Sequence, residues 1–224
     1  MSDSPSIVLF HVHKDAMNAA VSAFEHDWPE AQISNILEDG LFAWVRETGG
    51  IVPEMYDAFH RLTDYAVERG ADGILYSCSA FRECIDACIE SFDVPMLKPN
   101  DAMIEAALNA GDRIAVLATV GPTITSVSAE IEEMARAAGR DVTLAPYMVD
   151  DAFDAMAGGD GATHDRLVAA AAGEIHDADV IVLAQFTLAR AAPAVAAITD
   201  TPVLNSPGAA VVKMREMLGQ QAQA

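Results

Sequence analysis

The sequence predicts an α/β protein made of two pseudo-symmetric, doubly wound halves, each built on a parallel sheet. Three observations carry this reading. Ala71–Phe81, ADGILYSCSAF, returns as Ala178–Leu188, ADVIVLAQFTL, placing Cys78 over Gln185 at an offset of 107 residues. The same offset carries Ile7 onto Ile114 and Pro95 onto Pro202, so three strand-like segments share one register. Finally, the strands read as short apolar runs between helical patterns, which is how strands covered on both faces look. Residues 1–100 together with 208–224 are expected to form the first half, and residues 101–207 the second.

In the first half, Ile7–Val12 reads as a strand that delivers His11, His13 and Lys14, followed by a helix over Asp15–Trp28 on the spacing of Ala16, Ala20, Val21 and Phe24. Gln32–Leu37 is a second strand ending at Glu38-Asp39-Gly40. Pro53–Arg69 is an amphipathic helix stopped by Gly70. Gly73–Ser77 is the third strand, with a helix from Phe81 to Glu90, and Val94–Leu97 is the fourth, with a helix over Asp101–Asn109.

The second half repeats this order: strand Arg113–Ala118, helix Ile124–Ala138, strand Val142–Ala145, helix Asp165–His176, strand Val180–Ala184, helix Leu188–Ile198, strand Val203–Leu204 and helix Ala209–Leu218. The Gly158-Gly159-Asp160-Gly161 run is expected to be the most flexible interior stretch, and the tail Gly219–Ala224 to fray.

Composition narrows the functional classes. A net charge of −21 opposes binding to a phosphate backbone, so nucleic acid is not an expected partner. No run of about 18 uncharged apolar residues suggests a membrane span, and the opening MSDSPS lacks the basic and then apolar pattern of a secretory signal. A cytoplasmic protein is expected. Cys78, Cys84 and Cys88 are odd in number and unevenly spaced, which fits free thiols rather than a disulfide framework. An anionic ligand would need local donors to bind against so acidic a surface.

In open parallel sheets ligands sit beyond the carboxyl ends of the strands. With two halves facing each other, the active-site cleft is expected between them. The candidates are therefore the residues that follow each strand: His11, His13 and Lys14; Cys78, Ser79 and Ala80; Lys98, Pro99 and Asn100; Thr119 to Thr123, including Val120; Gln185, Phe186 and Thr187; Asn205, Ser206 and Pro207. Cys78 stands at a strand-to-helix junction, where helix amides would lower its pKa; the plainer alternative is a small buried residue. Cys84 and Cys88, four apart, read as core rather than half a metal site. Of His11 and His13, a structural role is the simpler reading. His26, His60, His164 and His176 fall on helices or near helix starts and read as surface or capping residues. Lys98 either pairs with a carboxylate or faces solvent. No glycine-rich phosphate-loop pattern supports a nucleotide.

LYSCSAF, LKPNDA, LATVGPT, ADVIVLAQFTLA and PVLNSPGAAV together resemble the aspartate/glutamate/hydantoin racemase superfamily, which also holds arylmalonate decarboxylase and maleate isomerase. The resemblance covers nearly the whole chain. It implies a cofactor-independent enzyme acting at the carbon next to the carboxylate of a small acid, and often a homodimer; no Cys/His spacing in the sequence supports a metal. Members typically place one cysteine in each half, on opposite faces of the substrate; Cys78 matches the first position and Gln185 occupies the second. A neutral amide is no acid or base of the required strength, so the chain departs from the two-base pattern.

The resemblance therefore implies Cys78 as catalytic thiol or thiolate. The substrate-binding candidates are His11, Ser79, Ala80, Thr119, Val120, Gln185, Thr187, Ser206 and Pro207. The leading expectation is a racemase or isomerase. The alternatives are a one-cysteine decarboxylase or lyase of a small carboxylic acid, and a binding protein that has lost turnover.

Overall fold

The computed structural model describes residues 4–221. The last three residues of the tail expected to fray lie outside that range. The chain divides into two compact units, residues 1–99 with 210–224 and residues 100–209.

Unit 1 holds a four-stranded parallel sheet of β1 (Ser6–His11), β2 (Gln32–Leu37), β3 (Gly73–Tyr76) and β4 (Met96–Leu97), in the order β2-β1-β3-β4. Its helices are α1 (Lys14–Asp27), α2 (Gly40–Thr48), α3 (Pro53–Glu68) and α4 (Arg82–Ser91), the last preceded by a 3₁₀ turn over Ser79–Phe81. Unit 2 begins with α5 (Asp101–Ala110). Its strands are β5 (Arg113–Ala118), β6 (Thr143–Met148), β7 (Val180–Leu183) and β8 (Val203–Asn205), ordered β6-β5-β7-β8 and again all parallel. Around them lie α6 (Gly121–Ala137), α7 (Ala152–Ala157), α8 (Gly161–Gly173), a 3₁₀ segment Phe186–Ala191 and α9 (Ala192–Ala196). The final helix, α10 (Ser206–Gln221), starts in unit 2 and continues into unit 1.

The offset of 107 survives in three dimensions: it carries β1 onto β5, β3 onto β7, and the start of one 3₁₀ turn onto the other. Each unit thus repeats one solution to burying a central strand pair. β3 and β7 are buried at every position, as strands covered on both faces must be.

Several elements differ from the sequence reading. α2 and α7 were not expected; each buries a single residue, Leu41 and Ala152 respectively. α6 starts at Gly121 rather than Ile124, because Pro122 fits the first turn, where its missing N–H costs nothing. The chain after Cys78 and after Gln185 enters a 3₁₀ turn before the α-helix. Through the glycine run, Gly158 follows α7 and the Asp160 carboxylate caps α8 by accepting from the Thr163 amide at 3.0 Å. α10 remains helical through Gln221 rather than fraying from Gly219.

In unit 1 an aromatic cluster joins the sheet to α3. Phe10 stacks on Phe59 at 4.8 Å, Phe59 meets Phe81 at 5.2 Å, and Tyr76 lies 5.4 Å from Phe10. Beneath it, Tyr76 Oη and Thr63 Oγ1 hydrogen-bond at 2.7 Å, so both buried hydroxyls are satisfied.

In unit 2 Asp179 ties down the start of β5. Its carboxylate accepts from the amides of Asp112 and Arg113 and from the Arg113 guanidinium at 2.6 and 3.1 Å. Those Arg113 bonds hold the carboxyl down at about 2. Gly111 packs directly against it; a Cβ there would lie 2.3 Å from Asp179 Cβ. Gly111→Ala is therefore expected to push Asp179 out of this arrangement and to lower unfolding stability by about 1–3 kcal/mol, measured by urea denaturation.

Candidate functional site

In each sheet the strand order reverses direction between the two central strands, β1 and β3 in unit 1, β5 and β7 in unit 2. The crevice at the carboxyl ends of such a pair is where doubly wound folds bind ligands. Cys78 and Gln185 each sit just past the end of such a strand.

In unit 1, Cys78 is extended (φ −137°, ψ 115°) and half-buried at the entrance to the 3₁₀ turn. Phe81, the last residue of that turn, is fully buried against Phe59. The aromatic cluster thereby fixes the backbone that carries the thiol. Burial pushes the Cys78 thiol above its ordinary value of 9.0, and a hydrogen bond from the Ala80 amide opposes this only in part. The sequence reading expected helix amides to lower the thiol pKa. The 3₁₀ turn keeps α4 from starting until Arg82, and desolvation prevails. Desolvation thus favours the thiol over the thiolate. Cys84 and Cys88 are buried on α4, and burial, with Cys88 and Glu83 nearby, pushes Cys84 up to about 11.

Ser77, the residue before Cys78, belongs to a buried polar triad. His11, fully buried, contacts Ser77 Oγ through Nδ1 at 2.7 Å and Asn35 Oδ1 through Nε2 at 3.0 Å. An amide oxygen only accepts, so Nε2 carries the proton and Nδ1 accepts from the Ser77 hydroxyl. Burial lowers the His11 pKa to about 4, against a smaller raising effect of Asn35. Both ring nitrogens are used within unit 1. Ser79 is half-buried and Ala80 exposed beside the thiol. His13 caps α1 by accepting from the Asp15 amide, and Lys98 Nζ pairs with Asp86 at 3.0 Å.

In unit 2, Gln185 is half-buried, and its Oε1 accepts from the Thr119 amide at 2.7 Å and the Thr119 hydroxyl at 3.0 Å. Val120 and Thr187 are half-buried at the same strand ends. Ser206 is fully buried and donates to Asn100 Oδ1 at 2.9 Å, while Asn100 donates to Glu130 at 2.9 Å; Pro207 is buried beside it. Sequence reasoning missed Asn35 and Ser77 as partners of His11. It also took His164 for a surface or capping residue, whereas His164 is buried inside α8, with Nδ1 2.8 Å from Asp165 Oδ1. The spacing of His164, Val168 and Ala172 on one helix face was the available signal.

Two parallel α/β units with reactive or polar residues at the strand ends define the class as a duplicated doubly wound protein. The family profile for Asp/Glu/Hydantoin racemase matches residues 50–214, and the chain belongs to that family. No curated protein sequence matches it. Among solved structures it is similar to an allantoin racemase from Klebsiella pneumoniae, at 16% identity and a TM-score of 0.71, covering 97% of this chain and 89% of the other. It also resembles an aspartate racemase from Picrophilus torridus, at 12% identity and 0.68, with 96% and 95% covered. An arylmalonate decarboxylase shares 18% identity at 0.62, with 96% and 93% covered. At these identities the likeness speaks for the fold. Among the described residues no helix is long and apolar enough to cross a membrane.

Proposed function

We propose that the protein moves a proton at the carbon next to a carboxylate of a small carboxylic or amino acid, with the Cys78 sulfur as the group that carries it. The observation behind this reading is the placement of Cys78: it alone of the three cysteines is not fully buried, and it stands at the carboxyl end of a central strand in a member of a racemase family. A thiol can supply the proton and its thiolate can take one, so the step needs no cofactor. In racemisation, a Cys78 thiolate takes the α-proton, and the carbanion is reprotonated by water on its other face.

The raised thiol pKa favours a second reading, the decarboxylase. There the carbon–carbon bond to one carboxylate breaks, CO₂ leaves, and the electron pair stays on the α-carbon as an enediolate. The neutral Cys78 thiol then gives up its proton to that carbon and recovers one from water. A half-buried thiol whose pKa is raised favours the protonated form that this step requires.

The test is proton NMR in D₂O with amino acids, hydantoins, substituted malonates, maleate and small hydroxy acids. Deuterium at the α-carbon of an amino or hydroxy acid would identify the racemase reaction, and CO₂ loss with deuterium at that carbon the decarboxylase. The pH profile separates the two as well. A thiolate base gains rate as pH rises toward a pKa above 9.0, whereas a thiol acid works at constant rate through neutral pH and loses rate above that pKa. No exchange and no loss of substrate across the panel would sink the proposal and leave a binding protein.

A further inference from the structure

We infer that Gln185 is a dedicated donor for an anionic oxygen of the ligand, oriented for that purpose by Thr119. The Thr119 backbone amide can only donate, so the carboxamide atom 2.7 Å from it is the oxygen, and the amide nitrogen lies on the other side. The Thr119 hydroxyl, at 3.0 Å, donates to the same oxygen. Both lone pairs of Oε1 are thus in use, and Gln185 has no acceptor left for an ammonium group. Its Nε2 carries two hydrogens with no protein partner among the described residues, and it is not sealed from solvent, because no buried side-chain nitrogen or oxygen there lacks a hydrogen bond.

The internal repeat strengthens this assignment. The offset that carries Cys78 onto Gln185 also carries Val12 onto Thr119. Both residues carry a backbone amide, but unit 1 has an apolar side chain where unit 2 adds the Thr119 hydroxyl as a second donor, so that hydroxyl is not a requirement of the shared fold. Thr119 acts as a positioning residue, and Gln185 meets the ligand. In a chain with a net charge of −21, an uncharged donor held in one orientation binds a carboxylate without the cost of burying another charge. The ligand group at the carboxyl end of β7 is accordingly a carboxylate or enediolate oxygen, and an amino group belongs elsewhere on the molecule. This rests on the reading of the protein as one that acts on small carboxylates, but it does not depend on Cys78.

Binding of methylmalonate, maleate and aspartate, followed by ligand-observed NMR in the wild-type and Cys78→Ala chains, tests it without requiring turnover. Gln185→Met removes the donor at nearly constant shape and is expected to weaken carboxylate binding about tenfold. Gln185→Glu keeps an oxygen for Thr119 but presents a negative charge outward, and is expected to weaken it on the order of a hundredfold. That ordering, with melting temperatures close to the parent's, is a signature that a merely structural glutamine would not produce. Wild-type affinity in either variant, or no carboxylate binding by the parent chain, overturns the inference. Gln185-dependent binding without any Cys78-dependent exchange would instead refute only the proton-transfer reading.

Discussion

Cys78→Ala is expected to lower Cys78-dependent deuterium exchange or decarboxylation by about 10²–10⁴-fold, the usual contribution of a positioned acid or base. The melting temperature should stay close to that of the parent, because the side chain is half-buried and the turn behind it is held by Phe81 on Phe59. Cys78→Ser sharpens the test. It preserves size and a hydrogen-bonding group, yet a hydroxyl is a far weaker acid than a thiol, so a proton-transfer role predicts nearly the same loss and a packing role predicts rescue. Alkylation supplies an independent reading. Burial raises all three thiols, so access rather than acidity ranks them, and Cys78 should react before Cys84 and Cys88, which are 0% and 1% exposed. Turnover in Cys78→Ala at the parent rate would remove the cysteine from the mechanism.

The two sheets were legible because β1, β3, β5 and β7 are uninterrupted apolar runs tied by one offset, a signal that needs no tertiary information. α2 and α7 were not, since each buries one residue, while Phe42 and Phe153 sit 43% and 53% exposed and blur the apolar face. The position of Cys78 at a strand end could be read directly, but its environment could not. Whether a strand runs into an α-helix or first into a 3₁₀ turn depends on how Phe81 packs against Phe59, a contact 22 residues away in the chain. The same holds for Gln185. Its identity announced the departure from a two-cysteine pattern, while its orientation depends on Thr119, 66 residues earlier.

His11 should make the stability of unit 1 sensitive to mild acid. The offset of 107 carries His11 and Ser77 onto Ala118 and Ala184, and the strand register puts Pro146, opposite Val116, where Asn35 stands opposite Leu9. The fold therefore accommodates apolar residues at all three places, and the polar triad is particular to the unit that carries the cysteine. Folding depresses the His11 pKa from 6.5 to about 4, so the native state resists a proton that the unfolded chain accepts. The contribution to stability is fully present above the unfolded pKa of 6.5 and is lost as pH falls through it toward about 4. At roughly 1.4 kcal/mol per pKa unit, the full loss is on the order of 3 kcal/mol. Protonation of the many carboxylates acts in the opposite sense by relieving the net charge of −21, so the raw pH curve mixes both. Comparing urea denaturation of the parent with His11→Asn at pH 7 and pH 5 isolates the histidine. The variant should be less stable at pH 7, where the ring's two hydrogen bonds are missing, and should close part of that gap at pH 5. A gap that is equal at both pH values would mean that His11 is protonated as easily in the folded chain as in the unfolded one.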